Sequence, residues 1–518
     1  MIRLRTAARA TVVVQLFNWS GLVLSLVTVP LYLQWLGQER YGLLLTSLAI
    51  LSYLMFADAG LNTASMILIA QAAGQNDRVK IASIFRNSCT LGLVSTTAVG
   101  IVILPVMLWP QCQLWDTWFP DHPEFPSLWL AIGASAAVSL LAGPVYNLMI
   151  GMQDTPLAAM LQGLGRIFGT LLAIGFAWWG CSVGVVFSGN VVAALAMALI
   201  AWIISRKRYP WINLSGHYWQ YDDIRQQLRT GLKSFAGRMG TVLAGTAPIL
   251  AISSVAGASF VPLYSIPLTL LNAPLSVFLT LSAVLQPAFG EAKGMGQVSW
   301  IADTILGLRR QLLLALGFLG CGFILLASRF IDLWTGGEVS VPHAMLLSVL
   351  GIAGLQAILA LDRFTLVGMN LHRGAAVADI ACGIVCIATG GWIVSVGGPS
   401  SIGLGIVVGS LATIGWFLPN SLQRHLRGQS VLPPLAYWTR WILVQAITYT
   451  SGWWILAGLS GVPTWIQVAV TGVAIVVVYA AASLVLLRDD MALLEQEVRR
   501  WFRRVRITTA EPNSVPCG

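Results

Sequence analysis

Long apolar segments alternate with short polar loops along the whole chain, and this pattern predicts a protein that crosses a membrane many times. A spanning helix needs about 20 mostly apolar residues. The chain offers fourteen such segments, near 10–36, 42–70, 84–109, 127–150, 157–179, 182–205, 233–256, 260–290, 311–334, 344–369, 375–396, 401–420, 440–460 and 464–487. The composition agrees with this pattern, because 57% of the residues are hydrophobic and only 10% are charged.

The spacing of the segments predicts an all-α polytopic membrane protein with two like-sized halves. A polar stretch separates the first six predicted spans from the next six, and two spans follow them. Two six-helix bundles around a central cavity are typical of transporters built from repeats. The predicted parts are a first bundle at 1–205, a linker at 206–232, a second bundle at 233–420, two additional helices at 421–487 and a basic tail at 488–518.

The linker and the tail are both predicted to contain an amphipathic helix at the cytoplasmic surface. In the linker, Tyr221, Ile224, Leu228 and Leu232 recur at helical spacing between charged residues. In the tail, arginines alternate with an apolar stripe, as in helices that lie on anionic lipid.

The distribution of positive charge tests the predicted topology. Cytoplasmic loops of membrane proteins carry an excess of Lys and Arg. With a cytoplasmic N-terminus, all but two of the 30 Lys and Arg residues fall at or toward the cytoplasmic side, and the exceptions are Arg40 and Arg329. Both termini are therefore predicted to be cytoplasmic, and the net charge of +10 marks topology rather than a nucleic-acid partner.

Charged residues inside predicted spans are the candidates for function, because a charge in hydrocarbon is costly and is kept where it is needed. They are Asp58, Arg166, Arg238, the adjacent Asp362 and Arg363, and Asp379. Arg166 is the deepest cation, roughly 15 Å from its helix end at 1.5 Å per residue. Asn62 lies four residues after Asp58 and shares its helix face.

Each candidate also has a structural interpretation. Arg238 and Asp379 are close enough to the cytoplasmic interface to extend toward water. Asp362 and Arg363 are neighbours that cannot face each other on a helix, so an ion pair with a different helix is as reasonable for each as a substrate contact. Asp58 has the alternative of capping or hydrogen-bonding a neighbouring helix.

Enzymatic and metal chemistry find little support in the sequence. The seven cysteines and five histidines show no spacing typical of metal or redox sites. GLGRIFG at 163–169 misses the dinucleotide-binding spacing and lies in an apolar span. The predicted protein is not an enzyme and uses no cofactor or metal.

The N-terminal sequence resembles a known family. It contains VPLYLQWLGQERYG, then ADAGL at 57–61, then AQAAGQNDRVKIASIFRN. These segments are similar to those of bacterial polysaccharide transporters, the Wzx-type lipid-linked oligosaccharide flippases, whose superfamily also holds multidrug extruders and peptidoglycan-precursor flippases. The fourteen-span layout extends the likeness over the whole chain.

The resemblance implies a flippase of the bacterial inner membrane that moves an undecaprenyl-pyrophosphate-linked oligosaccharide by alternating access. It implies pyrophosphate binding in a cationic cavity, for which Arg166, Arg238 and Arg363 with Asn62 are the candidates here, and ion coupling, for which Asp58 and Asp379 are candidates. Membrane lipids, a polysaccharide polymerase and a chain-length regulator are the expected partners of a monomer. An ion-coupled exporter of organic cations is the alternative function.

Overall fold

The computed structural model describes residues 2–108, 125–212, 221–369, 371–426 and 428–488. The part of the chain that it describes is helical throughout and contains no strand, which confirms the all-α prediction. The predicted tail at 488–518 lies outside the described residues, except for Arg488.

The helices follow one another with short connections. They are α1 Ile2–Leu54, α2 Leu61–Gly74, α3 Arg78–Leu108, α4 Phe125–Gly151, α5 Thr155–Trp178, α6 Val183–Arg208, α7 Tyr221–Ala256, α8 Val261–Val284, α9 Gln286–Gly294, α10 Val298–Trp334, α11 His343–Gly368, α12 His372–Gly397, α13 Ile402–Ser410, α14 Trp416–His425, α15 Leu435–Gly458 and α16 Thr464–Leu486. A 3₁₀ turn, Met55–Asp58, joins α1 to α2, and a π-helical turn, Leu411–Gly415, joins α13 to α14.

Eleven helices among the described residues are long and apolar enough to cross a membrane, so the protein is a multi-pass membrane protein. The number of spanning helices found in the structure is lower than the predicted fourteen for physical reasons. One of the eleven, Trp19–Asp58, covers more than one predicted span. The second half of α7 offers only a short apolar run, Gly245–Ala256. Helix α15 is rich in Trp, Tyr and Thr. The number fourteen stays a prediction.

Two glycine turns meet, one at a kink within α1 and the other at the end of α7. Gly37, with φ 78° and ψ 167°, breaks α1 into two segments, and Gly257, with φ 94°, ends α7. Such angles favour glycine because it has no Cβ. The turns touch: a Cβ on Gly42 would lie 1.8 Å from the Ala258 carbonyl oxygen, and the Gln38 amide donates a 2.6 Å hydrogen bond to the Ser259 carbonyl.

The chain folds into two compact units that do not follow chain order. The first unit comprises Met1–Thr269, Trp334–Ser340 and His372–Gly415. The second unit comprises Leu270–Leu333, Val341–Leu371 and Trp416–Gly518. The predicted bundle boundaries concern repeats along the sequence. The division into spatial units does not test these boundaries, and they stay a prediction.

The predicted amphipathic linker helix packs its polar face against protein. Within the first unit, Asp223 and Gln227 of α7 are buried, whereas Tyr221, Leu228 and Leu232 of the apolar stripe are exposed. A helix that packs its polar face on protein and presents its apolar face outward is suited to a lipid interface. The expected helix exists, but its protein contacts are polar.

Candidate functional site

Asp58 is held in the turn between α1 and α2, in the first unit. It is 8% exposed, and its carboxylate oxygens accept hydrogen bonds from the Asn62 backbone N–H at 3.2 and 3.4 Å. The first N–H groups of a helix have no partner within it, and a carboxylate there also meets the positive end of the helix dipole. The capping alternative is therefore present in the structure, and ion coupling by Asp58 stays a prediction.

Asn62 belongs to a small polar cluster at the start of α2. Its side-chain oxygen accepts a 2.7 Å hydrogen bond from the side-chain amide of Asn147 in α4. Gly143, one turn earlier in α4, makes room for it, since a Cβ there would lie 2.4 Å from the Asn62 oxygen. Asn62 and Asp58 were predicted to share one helix face, but Ala59 and Gly60 adopt left-handed angles and end the helix between them, so Asp58 meets the Asn62 backbone N–H from the preceding turn. Part of the hydrogen-bonding capacity of the Asn62 side chain is used by Asn147.

The same turn packs directly against α7. A Cβ on Gly60, whose φ is 74°, would lie 2.3 Å from the Gly231 carbonyl oxygen. The rings of Phe56 and Phe235 meet edge to face, with centroids 5.6 Å apart. Only residues without a side chain allow this approach of the turn to the helix.

A buried polar seam continues this contact toward the N-terminal end of α7. Ser83 of α3 donates a 2.6 Å hydrogen bond to Asp223, and the Gln227 amide donates to the Ile84 carbonyl at 2.9 Å and to the Ser88 hydroxyl at 3.2 Å. The seam was missed by sequence reasoning, which followed the apolar stripe of this helix. The spacing of Asp223, Gln227 and Gly231, four residues apart, was the available signal.

Arg166 is exposed and lines a half-open cavity of about 260 Å³ in the first unit. The cavity is bounded by α1, α5 and α6, and its lining residues are Phe17, Gly21, Leu24, Ser25, Thr28, Gly163, Arg166, Ile167, Thr170 and Asn190. One water needs about 10–15 Å³ of such volume. The space is therefore large enough for a hydrated polar group.

The sequence explains why the cavity forms. Small residues, Gly21 in α1 and Gly163 in α5, lie on the facing sides of these helices, and a Cβ on Gly163 would lie 2.3 Å from the Phe17 ring. Hydroxyl and amide groups of Thr28, Thr170 and Asn190 supply polar lining. Small and polar residues between membrane helices allow close packing and hydrogen bonding.

The guanidinium of Arg166 makes no hydrogen bond and no ion pair with any residue that the structure describes. No Asp or Glu lines the cavity. Arg166 lies at the middle of α5, far from both helix ends. The cavity therefore presents a positive charge with five N–H donors to whatever enters it.

The other predicted site residues lie elsewhere. Arg363 is half-buried on α11, in the second unit, and interacts with a neighbouring group. Asp379 is 2% exposed on α12, where a Cβ on Gly240 of α7 would touch its backbone at 2.3 Å. The side chain of Arg238 lies outside the described residues. The assignment of all these residues to substrate or ion stays a prediction.

Asp362, which cannot face its neighbour Arg363, is paired with a residue of a different helix. It forms an ion pair with Arg309 of α10 in the second unit, and the two side chains are 0% and 1% exposed. Arg309 also donates a 2.9 Å hydrogen bond to the Val431 carbonyl. Of the two alternatives for Asp362, the ion pair with a different helix is the one observed. The partner was missed because Arg309 was assigned to the cytoplasmic loops.

A second polar cluster fixes the chain at the C-terminal end of α6. Arg208 pairs with Asp154 at 2.9 Å, and the Tyr209 hydroxyl donates to the other oxygen of the same carboxylate. Burial and then Asp154 raise the pKa of Tyr209, since both disfavour the phenolate. The tyrosine is therefore a neutral hydrogen-bond donor that anchors the chain after α6.

Metal chemistry has no site in the part of the chain that is described, because no group of three His, Cys, Asp or Glu side chains is placed to hold an ion there. Cys382 and Cys386 lie with their sulfur atoms 3.6 Å apart, both buried against Ser410.

Solved structures with the same fold are transport proteins. The chain is similar to the lipid II flippase MurJ in an inward closed conformation, with a TM-score of 0.64 and 12% identity over 92% of this chain and 99% of that one. It is also similar to an inward-facing multidrug resistance MATE family transporter of the MOP superfamily, with a TM-score of 0.62 and 16% identity over 79% and 96%. The MATE transporter VcmN of Vibrio cholerae matches with a TM-score of 0.50 and 16% identity over 82% and 98%.

Sequence comparison assigns the family. No curated protein matches the chain. The family described as polysaccharide biosynthesis protein matches residues 8–293, which are more than half of the 518 residues and include α5 with Arg166. The chain therefore belongs to this polysaccharide biosynthesis protein family.

Proposed function

We propose that the protein is a flippase that moves an undecaprenyl-pyrophosphate-linked oligosaccharide from the cytoplasmic to the outer leaflet of a bacterial inner membrane during surface polysaccharide biosynthesis. Family membership supports the link to polysaccharide. The observation that carries the proposal is the Arg166 cavity, a positively charged space between membrane helices with no acid in its lining.

Arginine suits the pyrophosphate of such a substrate. Its planar guanidinium binds phosphate oxygens through two parallel hydrogen bonds and stays charged in a low-dielectric site. Asn190 adds an amide that can donate to further phosphate or sugar oxygens, and the Thr28 and Thr170 hydroxyls, which donate to the Ser25 and Arg166 carbonyls, can accept from sugar hydroxyls. Arg238, Arg363 and Asn62 stay predictions for additional substrate contacts.

Replacement of Arg166 tests the proposal. Arg166→Gln removes the charge at similar size, and we expect export of surface polysaccharide to fall at least tenfold while the protein stays in the membrane at its normal level. Arg166→Lys keeps the charge but loses the bidentate geometry, so an intermediate level is expected. Surface polysaccharide in a deletion strain that expresses each variant is the measurement.

A matched control removes an arginine outside the cavity. Arg440 is exposed on α15, and Arg440→Gln should leave export unchanged. Normal export by Arg166→Gln would refute the cavity assignment. If that variant instead lost resistance to an organic cation while exporting polysaccharide normally, the alternative exporter function would replace the flippase.

We also propose that both termini are cytoplasmic and that an ion gradient drives transport through Asp58 or Asp379. The charge distribution supports the topology. Both acids are buried in the first unit, where a change of protonation or ion binding alters local charge strongly. The polymerase and chain-length regulator of the same polysaccharide are the proposed partners of a monomeric flippase.

A further inference from the structure

A separate cavity of about 690 Å³ lies inside the second unit, among α10, α11, α15 and α16. Its lining residues are Ile324, Leu325, Arg329, His343, Leu346, Leu347, Tyr449, Trp453, Leu456, Ala457, Ser460 and Gln467. None of them is a candidate for the proposed transport reaction.

The polar lining residues are gathered at one end of this cavity. Arg329 lies five residues before the end of α10, and His343 begins α11. Ser460 follows the end of α15, and Gln467 lies in the first turn of α16. Because these helices are joined by short loops at this end, all four residues lie near the same membrane surface.

Apolar lining extends from that end toward the middle of the helices. Ile324 lies ten residues before the end of α10, a distance of about 15 Å along the helix. Leu325 and Leu347 line the same stretch. A cavity that is polar at the membrane surface and apolar below it matches the shape and polarity of a lipid.

The charged residue among the polar lining residues is a cation, Arg329. The Arg329 guanidinium makes no hydrogen bond or ion pair with a residue that the structure describes, and no Asp or Glu lines the cavity. Arg329 is also one of the two basic residues on the predicted outer side. A cation on that side opposes the usual charge bias of membrane proteins, so a specific role explains its presence better than topology does.

We propose that this cavity binds an anionic glycerophospholipid of the outer leaflet. Arg329 binds the lipid phosphate and His343 hydrogen-bonds the headgroup, while an acyl chain lies along Ile324, Leu325 and Leu347. The absence of an acid from the lining favours an anionic headgroup, because the ammonium of a zwitterionic headgroup would find no carboxylate there.

Lipid retention by the purified full-length protein tests the proposal. The protein is delipidated in detergent, mixed with phosphatidylglycerol or phosphatidylethanolamine of the same acyl chains, and examined by native mass spectrometry. We expect phosphatidylglycerol to be retained at least fivefold more than phosphatidylethanolamine. Equal retention of the two lipids would overturn the proposal.

Three variants locate the lipid. Arg329→Gln should reduce phosphatidylglycerol retention at least fivefold, and Ala457→Phe should do the same by filling the cavity without changing the charge. Arg440→Gln, an exposed position on α15 toward the opposite end of the helix, should have no effect. Unchanged retention by both Arg329→Gln and Ala457→Phe would place the lipid elsewhere and refute the site.

A competition arm separates this site from substrate binding. Undecaprenyl phosphate added at the same concentration should leave phosphatidylglycerol in place. Its displacement of phosphatidylglycerol would identify a polyprenyl lipid as the occupant and overturn the proposal. The outcome is independent of the flippase assignment, because export can fail in Arg166→Gln whether or not the Arg329 cavity holds a phospholipid.

Discussion

Arg166 and Arg309 are both arginines of long apolar helices, but Arg309 is paired with an acid and Arg166 is not. Arg309 is 1% exposed and is held by Asp362 and by the Val431 carbonyl. Arg166 lines a cavity and has no partner among the described residues. A buried charge with its partner fixes the packing of helices, whereas a charge left without one in a cavity is available for a ligand.

The surroundings explain the difference. The Arg309 pair is enclosed by apolar residues, so each ion needs the other to offset its loss of hydration. Arg166 faces a space large enough for water, which lowers the cost of leaving it unpaired.

The largest expected effect follows from breaking the Arg309 pair. Asp362→Ala leaves a buried, unpaired cation and should lower the free energy of unfolding by about 3–5 kcal/mol. Thermal unfolding of the purified protein and its level in the membrane measure this. The double variant Arg309→Met with Asp362→Leu should recover most of the loss, because an apolar pair of similar volume needs no compensation. A stable Asp362→Ala protein would contradict the structural role.

A smaller change in stability and a large change in export are expected when Arg166 is given a partner. Asn190→Asp places a carboxylate in the Arg166 cavity at nearly the same size. The new pair should reduce export at least tenfold by competing with the substrate phosphate, while the unfolding temperature stays close to wild type. Asn190→Leu, which removes the amide without adding charge, is the control. Equal export by Asn190→Asp and the wild type would show that Arg166 need not be unpaired.

The smallest effect on stability is expected at Asp58. Asp58→Asn keeps an oxygen that can accept the Asn62 N–H, so it should cost less than the roughly 1 kcal/mol typical of a lost cap. If Asp58 couples transport to an ion, as proposed, export by this variant should lose its dependence on the ion gradient. Asp379→Asn is the parallel experiment on the second candidate. Gradient dependence that survives in Asp58→Asn would leave Asp58 as a cap alone.

The apolar spans and α7 differ in how much of their structure the hydrophobic pattern predicts. Runs of apolar residues predicted helices such as α5 and α6 within a few residues of their observed ends, because a bilayer requires a continuous helix. In α7 the apolar stripe with Tyr221 and Leu232 predicted an amphipathic surface helix but did not indicate which residues pack on protein, and the structure buries Asp223 and Gln227. In a membrane, an apolar face can be satisfied by lipid, so hydrophobicity alone does not identify the protein contact.

The sequence by itself determined the helical membrane class, the approximate helix positions and the resemblance to polysaccharide transporters. These depend on local composition and periodicity, since the length and polarity of a segment decide whether it can span hydrocarbon. The helical spacing of Asp58 and Asn62 did not determine their contact, because Ala59 and Gly60 end the helix between them.

Only the tertiary structure decided which charges are paired. Asp362 and Arg309 are 53 residues apart in the chain, and the acid-free lining of the Arg166 cavity comes from three different helices. Ionic partners and cavity walls depend on how helices distant in sequence are placed beside one another. That placement is set by many packing contacts together, such as those of Gly60 with Gly231, and no single segment of the sequence encodes it.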